Sequence, residues 1–217
     1  VNTSRFLWSP KWLFGHVLVV AVLFSFTQFG AWQWRRHLER IERNADTEAR
    51  LASPPERLEE ALAAAALQVA AGASAEEALR FRRVEVIGIF EVEDEVLRRS
   101  VSRDGRPGYH LVTPLRLSDD PEGRRIWVER GWVPDSVTSV PVEIARPPEG
   151  ELRVVGHLRA TTAPPAGLIA SIAPRDPPSG RLAIVYYLDP ARLGAQVAGP
   201  LVDAVLWLDG LGFPDGL

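Results

Sequence analysis

The chain has 217 residues, 46% of them hydrophobic and 24% charged, with a net charge of −3. That size and balance fit one folded domain with something left over, and they give no footing for nucleic acid, which needs a clustered basic surface. With no cysteine, disulfides, thiolate nucleophiles, cysteine-held zinc, iron–sulfur clusters and c-type haem attachment are all excluded; only His16, His37, His110 and His157 remain as imidazole ligands.

The first element is an apolar run. From Trp12 to Trp34 the chain reads "WLFGHVLVVAVLFSFTQFGAWQW", without Asp, Glu, Lys or Arg. About 20 apolar residues span a hydrocarbon core, and tryptophans at 8, 12, 32 and 34 flank the run where indoles favour the interface. A cleaved signal peptide would have a shorter core and a small-residue cleavage site. Here "RRHLERIER" follows, which favours a retained anchor. His16 lies inside the span, either as a functional group or as a neutral histidine near the headgroups. Arg35, Arg36, Arg40 and Arg43 after the span outnumber Arg5 and Lys11 before it. Taken alone, that asymmetry places the bulk of the chain in the cytoplasm.

Helix continues beyond the span and stops at Pro54–Pro55. "PERLEEALAAAALQVAAG" predicts a packing helix, and Ser74 with Glu77 predicts a capping box that restarts a short one. From Phe81 the period changes from 3.6 to 2. "FRRVEVIGIF", "EVLRRSVS", "YHLVTPLRL", "RRIWVERGWVP", "ELRVVGHLRA", "LAIVYYLD" and "VDAVLWL" read as strands joined by turns such as "RDGRPG" and "SDDPEG". The stretch from Thr161 to Gly180 is too rich in proline and glycine for regular structure. The expected fold is therefore α+β: an N-terminal transmembrane helix, short helices, then a small antiparallel sheet or partly closed β-barrel of about six strands. In segments, this makes residues 1–11 a tail, 12–34 the span, 35–80 a helical juxtamembrane and alanine-rich region, and 81–217 a β-rich domain.

Catalytic signatures are absent from the sequence: there is no nucleophile elbow, P-loop, HExxH or dinucleotide-binding glycine pattern. The expectation is a protein that is not an enzyme. Strict alternation places the His110 side chain opposite Tyr109 and Leu111, and puts Arg130 on one face with Val128 and Trp132. An arginine there stacks on an aromatic ring, or pairs with a buried carboxylate or a ligand propionate.

An apolar span ending "FGAWQWRR", then "FRRVEVIGIF", "PGYHLVTPLRL", "IWVERGWVP" and "LRVVGHLRA", in this order, resembles the surfeit locus protein 1 family over most of Phe14 to Arg159. The pair "GYHLVTPL" and "RGWVP" is its most specific part. The resemblance implies a membrane-anchored chaperone for haem–copper cytochrome c oxidase, assisting haem a delivery or insertion into subunit I. It also implies transient contact with haem a and partners in subunit I, the haem a synthesis machinery and the lipid bilayer, with no nucleic acid. The folded domain is then expected on the outer face of a cell membrane or organellar inner membrane, which takes precedence over the arginine asymmetry. The positions that match are Trp32 and Gln33, then Gly108, Tyr109 and His110, then Arg130, Gly131 and Trp132. His16, His110, Tyr109, Arg130 and Trp132 are the expected haem-contacting residues. The family's second transmembrane helix has no counterpart in "LVDAVLWLDGLGFPDGL", which Asp203 and Asp209 interrupt. The competing expectation is a membrane-tethered interaction module that never touches haem.

Overall fold

A computed structural model describes residues 10–103 and 105–209. The tail before Pro10 and residues 210–217 lie outside the described residues. The chain separates into two compact units, Val1–Ala49 and Arg50–Leu217.

The first unit is dominated by helix α1, which runs Pro10–Ala52. Within Trp12–Ile41 an 18-residue stretch reaches a mean hydropathy of 1.8, long and apolar enough to cross a membrane, and none of it is buried in protein. Hydroxyls inside the span return to their own helix. Ser25 Oγ donates to the Ala21 carbonyl at 2.8 Å and Thr27 Oγ1 to the Phe24 carbonyl at 2.7 Å, as polar groups in hydrocarbon must. Helix formation ends just before Pro54–Pro55, where proline cannot supply the next amide.

The second unit is built from strands β1 (Glu56–Arg57), β2 (Arg83–Phe90), β3 (Val96–Arg103), β4 (Arg106–Leu117), β5 (Arg125–Pro134), β6 (Leu152–Arg159), β7 (Ile184–Val185) and β8 (Leu201–Leu208). Helices α2 (Leu58–Ala70), α3 (Ala75–Leu79) and α4 (Pro190–Gly194) complete it. The sheet order is β1-β2-β6-β8-β5-β4-β3-β7, and β2 also pairs with β4. That second pairing closes β2, β6, β8, β5 and β4 into a five-stranded barrel. Numbered within the barrel alone, the strands run 1-2-3-5-4 and return to 1. The contact between the third and fifth (β5 and β8) is parallel and the rest are antiparallel. This is the connectivity of the OB-type barrel.

The expected barrel is present, but its sheet is mixed where an antiparallel one was expected. The long excursions before β6 and β8 let β8 enter beside β5 in the same direction. "LAIVYYLD" supplies only the two-residue β7, because Leu182, Val185 and Leu188 turn inward to cover the sheet instead of extending it. The capping box forms as read: Ser74 Oγ accepts from the Glu77 amide and the Glu77 carboxylate accepts from the Ser74 amide. The alanine-rich segment is the packing helix its composition predicts. Leu58, Ala61 and Ala65 of α2, with Ala78 and Leu79 of α3, join Val84, Val86, Leu115, Ile126, Val128, Leu158 and Leu206 in the main core. Small alanines let the helix backbone approach the sheet closely.

A second apolar cluster covers the outside of the barrel. Val112, Trp127 and Val205 from three neighbouring strands meet Leu182, Leu188, Leu193 and Val197 from the segment around α4. β5 departs from simple alternation. Leu111 pairs with Gly131 but Val112 pairs with Glu129, so Arg130 is an extra residue in a bulge.

The bulged arginine is held by a buried network. Its Nε donates to Thr113 Oγ1 at 2.8 Å, its Nη1 to the Ala145 carbonyl at 2.7 Å, and its Nη2 to Glu95 Oε2. Thr113 Oγ1 donates to Glu95 Oε2 at 2.7 Å, and the Val142 amide donates to Glu95 Oε1 at 2.8 Å. Glu95 is 1% and Arg130 9% exposed, so the charges are desolvated and the cost is offset only because every polar atom has a partner. Removing one partner strands the other. Arg130→Met should destabilise the chain by roughly 3–5 kcal/mol. Arg130→Met with Glu95→Leu should recover only part of that loss: no charge is left unpaired, but the Val142 amide and the Thr113 hydroxyl lose their acceptor. Denaturant midpoints from tryptophan fluorescence of the full chain in detergent measure both; equal midpoints for wild type and single variant would contradict the network's role.

Candidate functional site

The bulge sorts the residues of the two motifs onto opposite faces of the sheet. Tyr109, Leu111, Thr113 and Leu115 alternate inward on β4. His110 and Val112 face outward, where His110 pairs with Trp132 and Val112 with Glu129. Arg130 shares the inward face with Val128 and Thr113. Trp132 does not, because the extra residue turns it outward beside His110. This corrects the strict alternation expected for Val128, Arg130 and Trp132.

Tyr109 is a core residue, packed with Leu97, Leu111, Val133 and Val142. The Arg99 guanidinium lies 5.9 Å from its ring and 5.6 Å from that of Tyr186. Arg130 is committed to Glu95, Thr113 and Ala145, with the Phe90 ring 5.5 Å away. His110 and Trp132 are half-buried and outward-facing. His16 belongs to α1 in the other unit.

Around His110 and Trp132 the barrel assembles a polar and aromatic row that the sequence does not announce. Across the strands, Arg98 pairs with His110 and His110 with Trp132; in the adjoining register Glu129 pairs with Trp207, Trp207 with His157 and His157 with Arg83. Arg98 Nε lies 2.6 Å from Glu129 Oε1, and Arg98 Nη2 lies 3.0 Å from His110 Nδ1. The Trp207 ring meets His110 edge-on at 5.5 Å and carries the Arg159 guanidinium at 3.2 Å from its centroid. At the far end Asp209 accepts from Arg83 Nε at 2.7 Å and lies 2.6 Å from His157 Nδ1.

Glycines make this row possible. A Cβ on Gly108 would fall 2.4 Å from Trp132 Cε2 and 2.3 Å from the Val133 carbonyl oxygen. The Trp132 indole therefore lies over the Gly108 backbone, which explains why glycine and tryptophan occur together in "GYH" and "RGW". A Cβ on Gly156 would fall 2.3 Å from the Trp207 carbonyl oxygen, so the glycine of "VVGHL" lets β8 approach β6.

Glu129 is 2% exposed. Burial pushes its carboxyl up. The hydrogen bond from His110 and the charges of Arg98, His110 and Arg159 outweigh that and hold it below the usual carboxylate range. It is therefore an anion at neutral pH, neutralised by the cations around it.

The two candidate haem histidines differ in what they offer. His16 Nδ1 lies 2.6 Å from the Trp12 carbonyl oxygen. A carbonyl only accepts, so Nδ1 carries the proton and the lone pair sits on Nε2, the arrangement of an imidazole that ligates iron. His110 Nδ1 either accepts from Arg98, which puts the proton on Nε2, or carries the proton and faces Glu129 Oε2 at 3.5 Å, which in a neutral ring leaves the lone pair on Nε2. Among the described residues no group of three or more His, Asp or Glu is arranged to hold a metal ion.

Sequence reading missed Arg98, Glu129, Arg159 and Trp207. Glu129 is legible after the fact: it sits one residue before the bulge in "VERGW", at a position whose neighbours are all apolar or in the motif. Trp207 and Arg159 were not legible, because only the parallel entry of β8 brings them beside β5.

The packing makes a direct forecast. Gly108→Val should clash with both the Trp132 indole and the Val133 carbonyl, displacing the indole and loosening the β4–β5 ladder, seen as red-shifted emission, greater quenching by iodide and a lower denaturant midpoint. Unchanged emission and quenching would contradict the packing of Trp132 on Gly108.

A comparison with curated proteins finds no match. A family model does match: that of the SURF1 family, over residues 19–211. The matched span takes in most of the apolar part of α1, the whole barrel and the outward row. α1 is thus a candidate membrane anchor in a chain of a membrane-associated family, and that family is consistent with a part in cytochrome oxidase assembly. The chain is a member of the SURF1 family.

Proposed function

We propose that this protein is a membrane-anchored assembly factor for haem–copper cytochrome c oxidase that assists haem a delivery or insertion into subunit I. The observation that carries the reading is that His110 of "GYH" and Trp132 of "RGW", within its most family-specific stretches, come together on one outward row while Tyr109 and Arg130 go to the core. A motif needed only for packing would point inward throughout. Family membership supplies the oxidase, and the row supplies a surface on which a partner or a cargo can dock.

In this reading α1 holds the chain in the bilayer, with the barrel on the outer face of a cell membrane or organellar inner membrane. Haem a is cargo, held transiently. Within α1, Nε2 of His16, whose proton the Trp12 carbonyl holds on Nδ1, would take its iron. Separately, the outward row offers cations to acidic groups: Arg159, exposed and stacked on Trp207, and Arg98 beside His110 suit carboxylates of subunit I or of a haem. His110 presents its Nε2, and Trp132 an indole face. Tyr109 and Arg130 serve the same site from behind by fixing the strands that carry His110 and Trp132.

Deleting the gene tests this reading. The redox difference spectrum of the host's membranes should lose its a-type haem signal while b- and c-type signals persist. An unchanged a-type signal would contradict it and favour a tethered interaction module unconnected with haem.

A further inference from the structure

The segment between β6 and β7 carries two large apolar side chains that the protein does not cover. Leu168 is 94% and Ile172 83% exposed. They sit at either end of a single 3₁₀ turn, Gly167–Ser171 and the residue after it, in the stretch "TTAPPAGLIASIAP". Those fourteen residues, 161–174, contain no charged side chain. Arg159 stands just before them and Arg175 just after.

The exposure is built in. The base of the segment is closed by Thr162, whose amide donates to the Leu188 carbonyl at 3.2 Å and whose Oγ1 accepts from the Leu188 amide at 3.0 Å. The tip is braced by Ser171 Oγ donating to the Leu168 carbonyl at 2.7 Å and by Arg175 Nη2 donating to the Ala170 carbonyl at 2.8 Å. On the return side, Asp176 accepts from the Tyr186 amide at 2.8 Å and Arg192 Nε donates to the Pro177 carbonyl at 2.8 Å. A loop tied at its base and tip, and uncharged between two arginines, presents leucine and isoleucine to whatever lies beyond it. Large apolar side chains held out of a fold mark a contact surface.

We propose that this loop dips into the lipid bilayer as a second, shallow anchor in addition to α1. Lipid is the occupant the pattern selects. An uncharged apolar tip with an exposed arginine, Arg175, at its margin is the layout of an interfacial segment. The chain already carries a candidate span, and the charged end of α1 with residues 53–55 ties the barrel to it, so a bilayer is kept at high effective concentration. The loop would thereby limit how the barrel turns over the membrane. This inference rests on α1 being a membrane span.

The absence of cysteine makes the test direct. Leu168→Cys, Ile172→Cys, Glu149→Cys and Val22→Cys are each introduced into the full chain, labelled with an environment-sensitive fluorophore and reconstituted into vesicles without other proteins. Val22, within α1, reports the span, and exposed Glu149 reports water. The expected result is quenching of labels at 168 and 172 by lipid-borne nitroxide, several-fold stronger than at 149, with shielding from aqueous iodide. Iodide access at 168 and 172 equal to that at 149 overturns the proposal and leaves a protein partner as the loop's occupant. Shielding from both quenchers overturns it as well, since the loop then packs on its own barrel. A label at 22 that lipid does not quench overturns the span itself, a failure distinguishable from that of the loop.

Discussion

The outward row depends on one buried ion pair. Arg130 is the surplus residue of a bulge in β5, and a surplus residue has no fixed face of its own. Glu95, fixed by the Thr113 hydroxyl and the Val142 amide, draws the guanidinium inward. Once Arg130 is committed inward, β5 re-enters the ladder one residue out of phase, and Trp132 emerges beside His110. A bulge that re-aims a side chain next to a functional surface is a common use of that distortion. Here it joins two motifs that a regular strand would keep on opposite faces.

The same pair explains why the row is rigid. Glu95 at the entry to β3, Thr113 of β4, Arg130 of β5 and the segment from Val142 to Ala145 all contribute to one network, which ties together the strands that carry Arg98, His110 and Trp132. On the outer side the row has its own charge balance. Glu129, anionic and almost fully buried, sits among Arg98, Arg159 and His110, and holds the inner charges while Arg159 remains exposed to a ligand. The barrel connectivity by itself assigns no activity, since one fold serves many functions. The function argued for this chain comes from its family and from which residues the barrel turns outward.

Much of the fold was legible from local chemistry. The helix over the apolar run from Trp12 to Trp34, its stop at Pro54–Pro55, the Ser74–Glu77 box and most of the period-2 strands are each written in a short window and found as read. What was not legible depends on partners distant in sequence. "LAIVYYLD" has the composition of a strand, but its leucines and valine are spent covering Trp127 and Val205. β8 enters parallel to β5, which no local pattern encodes, and with it come Trp207 and its stack on Arg159. The bulge defeated the assignment of Trp132 to a face, because alternation carries no mark of where an extra residue is inserted. The buried partner of Arg130 was foreseen only as a class of partner; that it is Glu95 follows from the tertiary fold.

On the proposed function, the outward row serves oxidase assembly while the inward residues of the same motifs hold the frame. The most direct measurement complements the deletion strain with chains carrying Trp132→Ala or Trp207→Ala, and compares a-type haem in the membranes with the amount of this protein in them. A several-fold loss of a-type haem at undiminished protein level is the expected result. A-type haem that follows protein level alone, whichever residue is changed, would contradict it.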